Sequence, residues 1–246
     1  MLQNKTSTVG IIGLGRFGKV LADILSDDFS ILAYDPNVSD EIYGVTWASL
    51  EDVCRQEAVF IAVPIRRFKE VIREITPYVR PGTTVLDVCS VKVYPVTVMK
   101  EHLSADVGII GTHPLFGPDS IHHPTGHTMV MTNVRAARKS FQFWWNYFAG
   151  KSITVLELSP EVHDRQAART QGITHFIGRV IREAGIEATN MDTLGFKDLM
   201  DVVDQTCNDS WELFMDLQNY NPYTLTVIDN LEKSIASVRQ KIIQRD

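Results

Sequence analysis

Residues 8–35 read TVGIIGLGRFGKVLADILSDDFSILAYD, and this stretch decides the fold. An apolar run ends in the motif GLGRFG (13–18), a helix-like segment follows, and a second apolar run ends at Asp35. A GxGxxG motif between strand and helix, with an acidic residue 35 − 18 = 17 positions later, is typical of a dinucleotide-binding βαβ unit. We therefore predict that the chain begins with a Rossmann-type sheet.

Each residue type in this unit has a physical reason to bind a dinucleotide. Gly13 permits the tight turn, Gly15 lets the backbone approach a pyrophosphate, and Gly18 lets helix and strand pack closely. Asp35 accepts ribose hydroxyls and repels a 2′-phosphate, which favours NAD over NADP. The predicted cofactor-binding residues include a wall after a later strand: Gly13, Leu14, Gly15, Arg16, Phe17, Gly18, Asp35, Val63 and Pro64.

Hydrophobic periodicity divides the chain into two predicted domains. In 1–158, apolar runs alternate with helix-length segments, which predicts a doubly wound parallel sheet of the α/β class. The further runs are 59–64, 83–90, 108–114, 127–132 and 152–158. Ser159-Pro160 then has the composition of a helix start. Only helical periodicity follows it, so 159–246 is predicted to be a small all-helical substrate and dimerisation domain.

Charge and cysteine usage limit the partners and the compartment. The chain carries 24 basic and 30 acidic side chains, a net charge of −6, and its basic residues form no stripe. We therefore expect no nucleic-acid partner, and no apolar stretch is long enough to predict a membrane span. Three cysteines without CxxC spacing, and a start without a secretory signal, predict a cytoplasmic protein.

Polar residues follow two of the later apolar runs, where ligands bind in open α/β sheets. Ser90 follows one run, with Lys92 close to it, and His113 follows GIIGT (108–112). A histidine that accepts a hydroxyl proton and a serine that orients the hydroxyl suit a dehydrogenase. The alternative is that His113 only bonds to loop backbone.

Six motifs resemble those of the prephenate/arogenate dehydrogenase family of tyrosine biosynthesis, in order along both predicted domains. The last of them resembles the plant-type arogenate dehydrogenases in particular. The motifs are DVCSVK (87–92), GTHPLFGP (111–118), PEVHD (160–164), QGITHF (171–176), MDTLGFKDLMDV (191–202) and DQTCNDSWELFMDL (204–217).

The resemblance implies NAD-dependent oxidative decarboxylation. His113 would be the catalytic acceptor for the ring hydroxyl, Ser90 its partner, and His175 a ligand of the substrate side chain. Hydride would leave the hydroxyl-bearing ring carbon, and loss of CO₂ would aromatise the ring. The implied substrate is arogenate, with prephenate as the alternative.

One departure from the family pattern affects substrate recognition. Asp201 stands where prephenate-using members have an Arg, so another cation has to bind a substrate carboxylate. Gln171, His175 and Arg179 have the helical spacing i, i+4 and i+8, which predicts that they lie near one face of a helix. Asp209, or less favourably Asp201, would pair with the ammonium of arogenate. The alternative is that both acids are solvated helix positions. The predicted substrate-binding residues are His175, Gln171, Lys92, Arg179, Lys197 and Asp209.

Several alternatives are weighed against this interpretation. A β-hydroxyacid dehydrogenase shares the architecture but uses a catalytic Lys where this helix presents Gln171 and His175. A non-catalytic NAD-sensing module is the alternative outside enzymes. His122, His123 and His127 lack acidic or cysteine partners, so no metal is predicted. The small helical domain predicts a homodimer.

Overall fold

The computed structural model describes residues 7–38, 41–118, 121 and 126–244, which belong to two compact units, Met1–Pro160 and Glu161–Asp246. The strands of the first unit are β1 (Thr8–Ile12), β2 (Ser30–Tyr34), β3 (Val45–Trp47), β4 (Ala58–Ile61), β5 (Thr84–Asp87), β6 (Gly108–Pro114), β7 (His127–Asn133) and β8 (Ile153–Glu157). Its helices are α1 (Arg16–Ser26), α2 (Leu50–Cys54), α3 (Ile65–Ile75), α4 (Val93–His102) and α5 (Arg138–Gly150).

The strands form one sheet in the order β3-β2-β1-β4-β5-β6-β7-β8. Neighbouring strands are parallel, which confirms the predicted fold class, except that β6 and β7 are antiparallel. No helical period separates these two runs in the sequence, and a parallel pair usually needs a helical crossover. The short strand β3 was not predicted, because its three residues carry too little pattern.

The core of the first unit lies on both faces of this sheet. All residues of β4 and β5 are buried, as expected for strands covered on two sides. On one face, α5 contributes Phe141, Trp144 and Phe148, and the Trp144 ring lies 5.0 Å from that of Phe60. These aromatic residues of α5 therefore form a packing surface.

The regular elements of the second unit are all helices within its described residues. Its helices are α6 (Pro160–Ala167), α7 (Ile173–Glu183), α8 (Leu194–Cys207), α9 (Trp211–Asn219) and α10 (Thr224–Ile243). A π-helical turn, Ala168–Gly172, joins α6 to α7 in one continuous helix. A Cβ on Gly178 of α7 would overlap the Thr206 hydroxyl of α8, so the glycine allows these helices to pack closely. Across the described residues, no helix is long and apolar enough to cross a membrane.

Candidate active site

The glycine loop has the geometry that its sequence predicts. Gly13 has φ +97°, and a Cβ there would lie 2.5 Å from the Ala62 carbonyl oxygen at the end of β4. A Cβ on Gly18 would overlap the Gly13 carbonyl, whereas Gly15 faces open space at the start of α1. The first turn of α1 has no acidic side chain and no side-chain cap. The loop therefore leaves helix N–H groups and space for a pyrophosphate.

Asp35 is tied to this loop by its carboxylate. Its Oδ2 accepts from the Leu14 N–H at 2.7 Å, and its Oδ1 accepts from the Asn37 N–H at 2.8 Å. The acidic group thus stands beside the glycine loop, as a ribose-binding carboxylate must. Val63 also adjoins the loop, since its Cγ1 would lie 3.0 Å from a Cβ on Gly13.

The remaining predicted cofactor residues surround the start of α1 and of α3. Leu14 is buried, Arg16 is exposed, and Pro64 immediately precedes α3. The Phe17 ring lies 6.3 Å from that of Phe116, in the segment that follows β6. This contact links the loop to the chain that carries the predicted catalytic histidine.

His113 lies near the end of β6, and Ser90 lies just after the end of its neighbour β5. His113 belongs to β6, pairs with Val130 of β7 and is 3% exposed. Ser90 is half-buried and lies three residues after the end of β5, which is parallel to β6. The carboxyl ends of parallel strands meet at one edge of a sheet, where ligands bind.

Thr112, which directly precedes His113, belongs to a buried hydrogen-bonded group. We call this group the strand-end network; its members are Asp87, Lys92 and Thr112. The Lys92 ammonium donates to the Asp87 carboxylate and to the Thr112 carbonyl. The Thr112 N–H donates to Asp87 Oδ2 at 3.3 Å, and its hydroxyl donates to the Asp87 carbonyl. Burial raises the pKa of the Asp87 carboxyl, while the Lys92 charge and the donated hydrogen bonds oppose that shift.

This network corrects the expectation that Lys92 binds the substrate. Lys92 and Asp87 are both 0% exposed, so the ammonium neutralises a buried carboxylate instead of facing a ligand. Gly111 leaves room for the pair, because a Cβ there would lie 3.4 Å from both side chains. The spacing of DVCSVK showed a cation near Ser90 but not the partner that it folds against.

In the second unit, three predicted substrate residues lie on one continuous helix, Gln171 in the π turn and His175 and Arg179 on α7; we call these three residues the α7 face. Each is partly buried, and each has a polar atom without a hydrogen-bond partner among the described residues: Gln171 Oε1, His175 Nδ1 and Arg179 Nε. Three other such atoms lie elsewhere, on His102, Gln218 and Thr224. Buried polar groups are normally bonded, so three orphans on one face indicate a surface shaped for a polar ligand.

Opposite charges adjoin on this face. Arg179 donates to the Asp209 backbone carbonyl, and His175 Nδ1 lies 3.9 Å from Asp209 Oδ2. The guanidinium lies 5.5 Å from the Trp211 ring and 5.4 Å from the Phe214 ring, within the range of cation–π attraction. Burial lowers the pKa of His175; the Asp209 charge opposes that shift and the Arg179 charge adds to it.

The other predicted residues of this unit do not join the α7 face. Lys197 and Asp201 are exposed on α8, so the structure favours Asp209 over Asp201 as the acid beside the polar face. His163 Nδ1 bonds Asp164 Oδ1 at 2.7 Å, and both side chains are buried.

Sequence reasoning missed the groups that support these residues. Trp211 and Phe214 hold Arg179, and their i, i+3 spacing in a helix was the available signal. His122 and His123 lie outside the described residues, and His127 bonds the Ile121 carbonyl at 2.9 Å. Within the described ranges, no cluster of His, Cys, Asp or Glu has the form of a metal site.

Comparison with known proteins finds a match in each unit. Residues 32–130 match the profile "Prephenate dehydrogenase, nucleotide-binding domain", and residues 180–246 match "TYRAAT1-like, C-terminal domain". The sequence is 29% identical over 252 residues to arogenate dehydrogenase 2 of Arabidopsis thaliana, covering 96% of this chain and 70% of that protein. The chain is thus similar to the prephenate/arogenate dehydrogenases along almost its whole length. The family resemblance and the NAD(P)-dependent dehydrogenase class predicted from the sequence are thereby confirmed.

Further relatives and solved structures agree with this assignment. A probable arogenate/prephenate dehydrogenase of Methanocaldococcus jannaschii is 27% identical, and the match covers 90% of this chain but only 53% of that protein. Prephenate dehydrogenase from A. aeolicus, solved with hydroxyphenyl propionate and NAD⁺, superposes with a TM-score of 0.77 at 21% identity, covering 97% of this chain and 91% of that one. Synechocystis arogenate dehydrogenase superposes at 0.73 with 18% identity, covering 96% and 91%. These likenesses support the two-part fold.

Proposed function

We propose that this protein oxidises and decarboxylates arogenate to tyrosine with NAD⁺. The observation that carries the proposal is the hydrogen bond from Arg179 to the Asp209 backbone carbonyl, which holds this cation beside an acidic residue at the unsatisfied α7 face. Arogenate has a carboxylate and an ammonium on one side chain, and a cation held next to an acid matches both charges. Prephenate has a keto group in place of the ammonium and offers the Asp209 carboxylate no positive charge.

The glycine loop and Asp35 fit a nicotinamide dinucleotide. Gly15 faces open space at a helix N-terminus, which suits the pyrophosphate. The Asp35 carboxylate is held beside the loop by the Leu14 N–H. A fixed negative charge there repels a 2′-phosphate, so we assign NAD in preference to NADP. When bound, NAD⁺ supplies the acceptor for the hydride that leaves the ring.

In the proposed reaction, His113 takes the proton of the ring hydroxyl as hydride leaves the same carbon. Ser90 orients the hydroxyl for that transfer. The resulting ketone is conjugated with the carbon that bears the ring carboxylate, so CO₂ departs and its bonding electrons aromatise the ring. The phenolate oxygen then recovers a proton from His113. The hydrogen bonds of Thr112 with Lys92 and Asp87 fix the backbone next to this histidine.

The α7 face recognises the substrate rather than performing the chemistry. Arg179 binds a carboxylate, Asp209 binds the ammonium, and His175 and Gln171 complete the polar surface. Arg179 is a suitable carboxylate ligand because the Trp211 and Phe214 rings hold its guanidinium in place. Prephenate dehydrogenation to 4-hydroxyphenylpyruvate is the second candidate, since Arg179 binds the carboxylate of either compound.

An assay of NADH or NADPH formation tests the proposal. Arogenate and prephenate are each supplied with NAD⁺ and with NADP⁺, and kcat/KM is measured for the four combinations. We expect the highest value for arogenate with NAD⁺. NAD⁺ binding without turnover of either substrate would instead support a non-catalytic NAD-sensing module.

We further propose that a second copy of the chain covers α10. Leu231, Ile235, Val238 and Ile242 follow a spacing of 4, 3 and 4 residues, and the last three are 53%, 57% and 66% exposed. Such a stripe is typical of helix–helix association. Light scattering should give the mass of a dimer, and Ile235→Lys should give that of a monomer; a wild-type monomer would contradict the proposal.

The cytoplasmic location stays a prediction. Cys54 and Cys207 are free thiols, which suits a reducing compartment. The Arabidopsis relatives are named as chloroplastic. Fractionation of cells that express a tagged chain distinguishes the two locations.

A further inference from the structure

The long helix of the second unit contains one irregular turn, which includes Gln171 of the α7 face and lies directly before α7. The π turn Ala168–Gly172 interrupts an otherwise α-helical segment from Pro160 to Glu183. A π turn accommodates one extra residue, is rarely stable by itself, and often occurs beside functional groups. The structure therefore has to supply something that holds this turn.

Two side-chain amides contact the helix on either side of the π turn. Gln218 Nε2 donates to the Gly172 carbonyl at 3.0 Å, and Asn221 Nδ2 donates to the Asp164 carbonyl at 2.8 Å. Gln218 and Asn221 are 6% and 3% exposed, and both hydrogen bonds are buried. We call these two residues the amide clamp. A π turn disturbs the regular carbonyl pairing of a helix, and a buried unpaired carbonyl is costly.

The extra residue also changes which side chains share a side of the helix. His163 and His175 are 175 − 163 = 12 residues apart. On a regular α-helix that spacing corresponds to about 1,200°, so the two rings would point roughly 120° apart. With one residue absorbed by the π turn the rotation is about 1,100°, or roughly 20° from alignment. Both side chains are in fact largely buried, at 3% and 16% exposed.

We propose that the amide clamp is a positioning device: Gln218 and Asn221 hold the π turn, and the π turn sets the direction in which His175 and Arg179 present their polar groups. The clamp touches neither substrate nor cofactor. Its effect on substrate affinity rests on the proposed function of the α7 face, whereas its effect on the helix does not.

The first test removes the donor of Gln218. Gln218→Met keeps the length of the side chain. Thr224→Val is the matched control, because the Thr224 methyl would lie 3.9 Å from a Cβ on Gly172 and its buried hydroxyl makes no hydrogen bond among the described residues. In hydrogen exchange, we expect peptides that span 166–176 to lose protection in Gln218→Met and to keep it in Thr224→Val. We also expect KM for arogenate to rise about tenfold, with kcat and KM for NAD⁺ within twofold of wild type.

The second test restores the donor by pH. In Gln218→Glu a protonated carboxyl donates to the Gly172 carbonyl, whereas an ionised carboxylate repels it. The ratio of KM for arogenate between Gln218→Glu and wild type should therefore be near one at low pH and should rise with pH. The same ratio for Gln218→Met should be flat. A purely structural role would change stability and leave these ratios without pH dependence.

The outcomes separate the clamp from the proposed function. Unchanged exchange and unchanged KM in Gln218→Met would overturn the clamp. Loss of protection in a protein that turns over neither substrate would support the clamp and overturn the proposed function. If Gln218→Met does not fold, the exchange and the pH profile of Gln218→Glu decide, and a flat profile with wild-type protection overturns the proposal.

Discussion

Two buried polar groups in this molecule differ in whether their hydrogen bonds are complete. In the strand-end network, the Asp87 carboxylate accepts from Lys92, Cys89 and Thr112, and the Lys92 ammonium also reaches the Thr112 carbonyl. On the α7 face, Gln171, His175 and Arg179 each keep a buried polar atom without a partner among the described residues. The strand-end network therefore has partners for its buried polar groups within the protein, whereas the α7 face has polar atoms without such partners among the described residues.

This difference separates two ways of building a site. A satisfied buried ion pair makes a rigid support, because removing either partner leaves an unpaired charge. Unsatisfied groups beside an acid and a cation are suited to a ligand that supplies the missing bonds. We therefore assign the strand-end network to the positioning of His113, and the α7 face to the recognition of substrate.

The largest expected effect comes from His113, which stands on the rigid support. His113→Ala should lower kcat for arogenate by about 10²–10⁴-fold, because the acceptor of the hydroxyl proton is lost. NAD⁺ affinity, measured by calorimetry, should stay within a few-fold of wild type. His175→Ala is the matched variant on the α7 face and should raise KM more than it lowers kcat. Comparable kcat losses in both variants would contradict the division of roles.

Removal of the support itself should affect stability next most strongly. Lys92→Met leaves the Asp87 carboxylate buried without its cation and should lower the free energy of unfolding by about 3–5 kcal/mol. Denaturant unfolding followed by fluorescence measures this. Combining Lys92→Met with Asp87→Leu should recover part of the loss, although the Cys89 and Thr112 N–H groups then lack an acceptor.

A surface pair provides the control for that variant. Lys151 is 27% exposed and lies 3.2 Å from Asp27 and 2.8 Å from Asp28. Lys151→Met should cost no more than about 1 kcal/mol, because water screens such pairs. Equal losses for Lys92→Met and Lys151→Met would show that the buried network is no firmer than a surface contact.

The sequence predicted the parts of this molecule that depend on local chemistry. The GLGRFG motif predicts a turn in which Gly13 has positive φ and Gly18 packs closely, and both follow from residue type and order. The i, i+4, i+8 spacing predicts that Gln171, His175 and Arg179 share one side of a helix, and in the structure the Arg179 charge acts on His175. These inferences need only the geometry of a strand, a turn or a helix.

Contacts distant in sequence lay beyond that reasoning. Lys92 and Thr112 are 20 residues apart, and Gln218 and Gly172 are 46 apart, so no helical or strand period relates them. The sequence therefore predicted Lys92 as a substrate-binding cation, whereas in the structure it is a buried partner of Asp87. The π turn was equally hidden, because it depends on amides supplied from another helix and from the residues after it.

A change at Asp209 tests whether the α7 face distinguishes an ammonium from a keto group. Asp209→Asn should lower the ratio of kcat/KM for arogenate to that for prephenate by about tenfold or more, because a charge-assisted hydrogen bond is lost. Asp201→Asn is the matched control, since Asp201 is exposed on α8. An unchanged ratio in Asp209→Asn, or an equal change in both variants, would remove Asp209 from substrate recognition.

The smallest effect concerns the ionisation of His175, which NMR titration of its ring measures. Burial lowers the pKa of His175, the Asp209 carboxylate opposes that shift, and the Arg179 guanidinium adds to it. Asp209→Asn should therefore lower this pKa further, and Arg179→Leu should raise it. Shifts of the opposite sign would show that the charges do not face the ring as the structure places them.

The same lowered pKa gives a sign for the stability of the substrate-free protein. Because the folded state binds the His175 proton less readily than the unfolded state, its full contribution is present above the ordinary pKa of about 6.5. That contribution declines as pH falls through 6.5 towards the folded value. His175→Gln should remove this dependence from the unfolding free energy. If the dependence persists in His175→Gln, another group titrates, and the pH dependence of stability does not come from His175 on the α7 face.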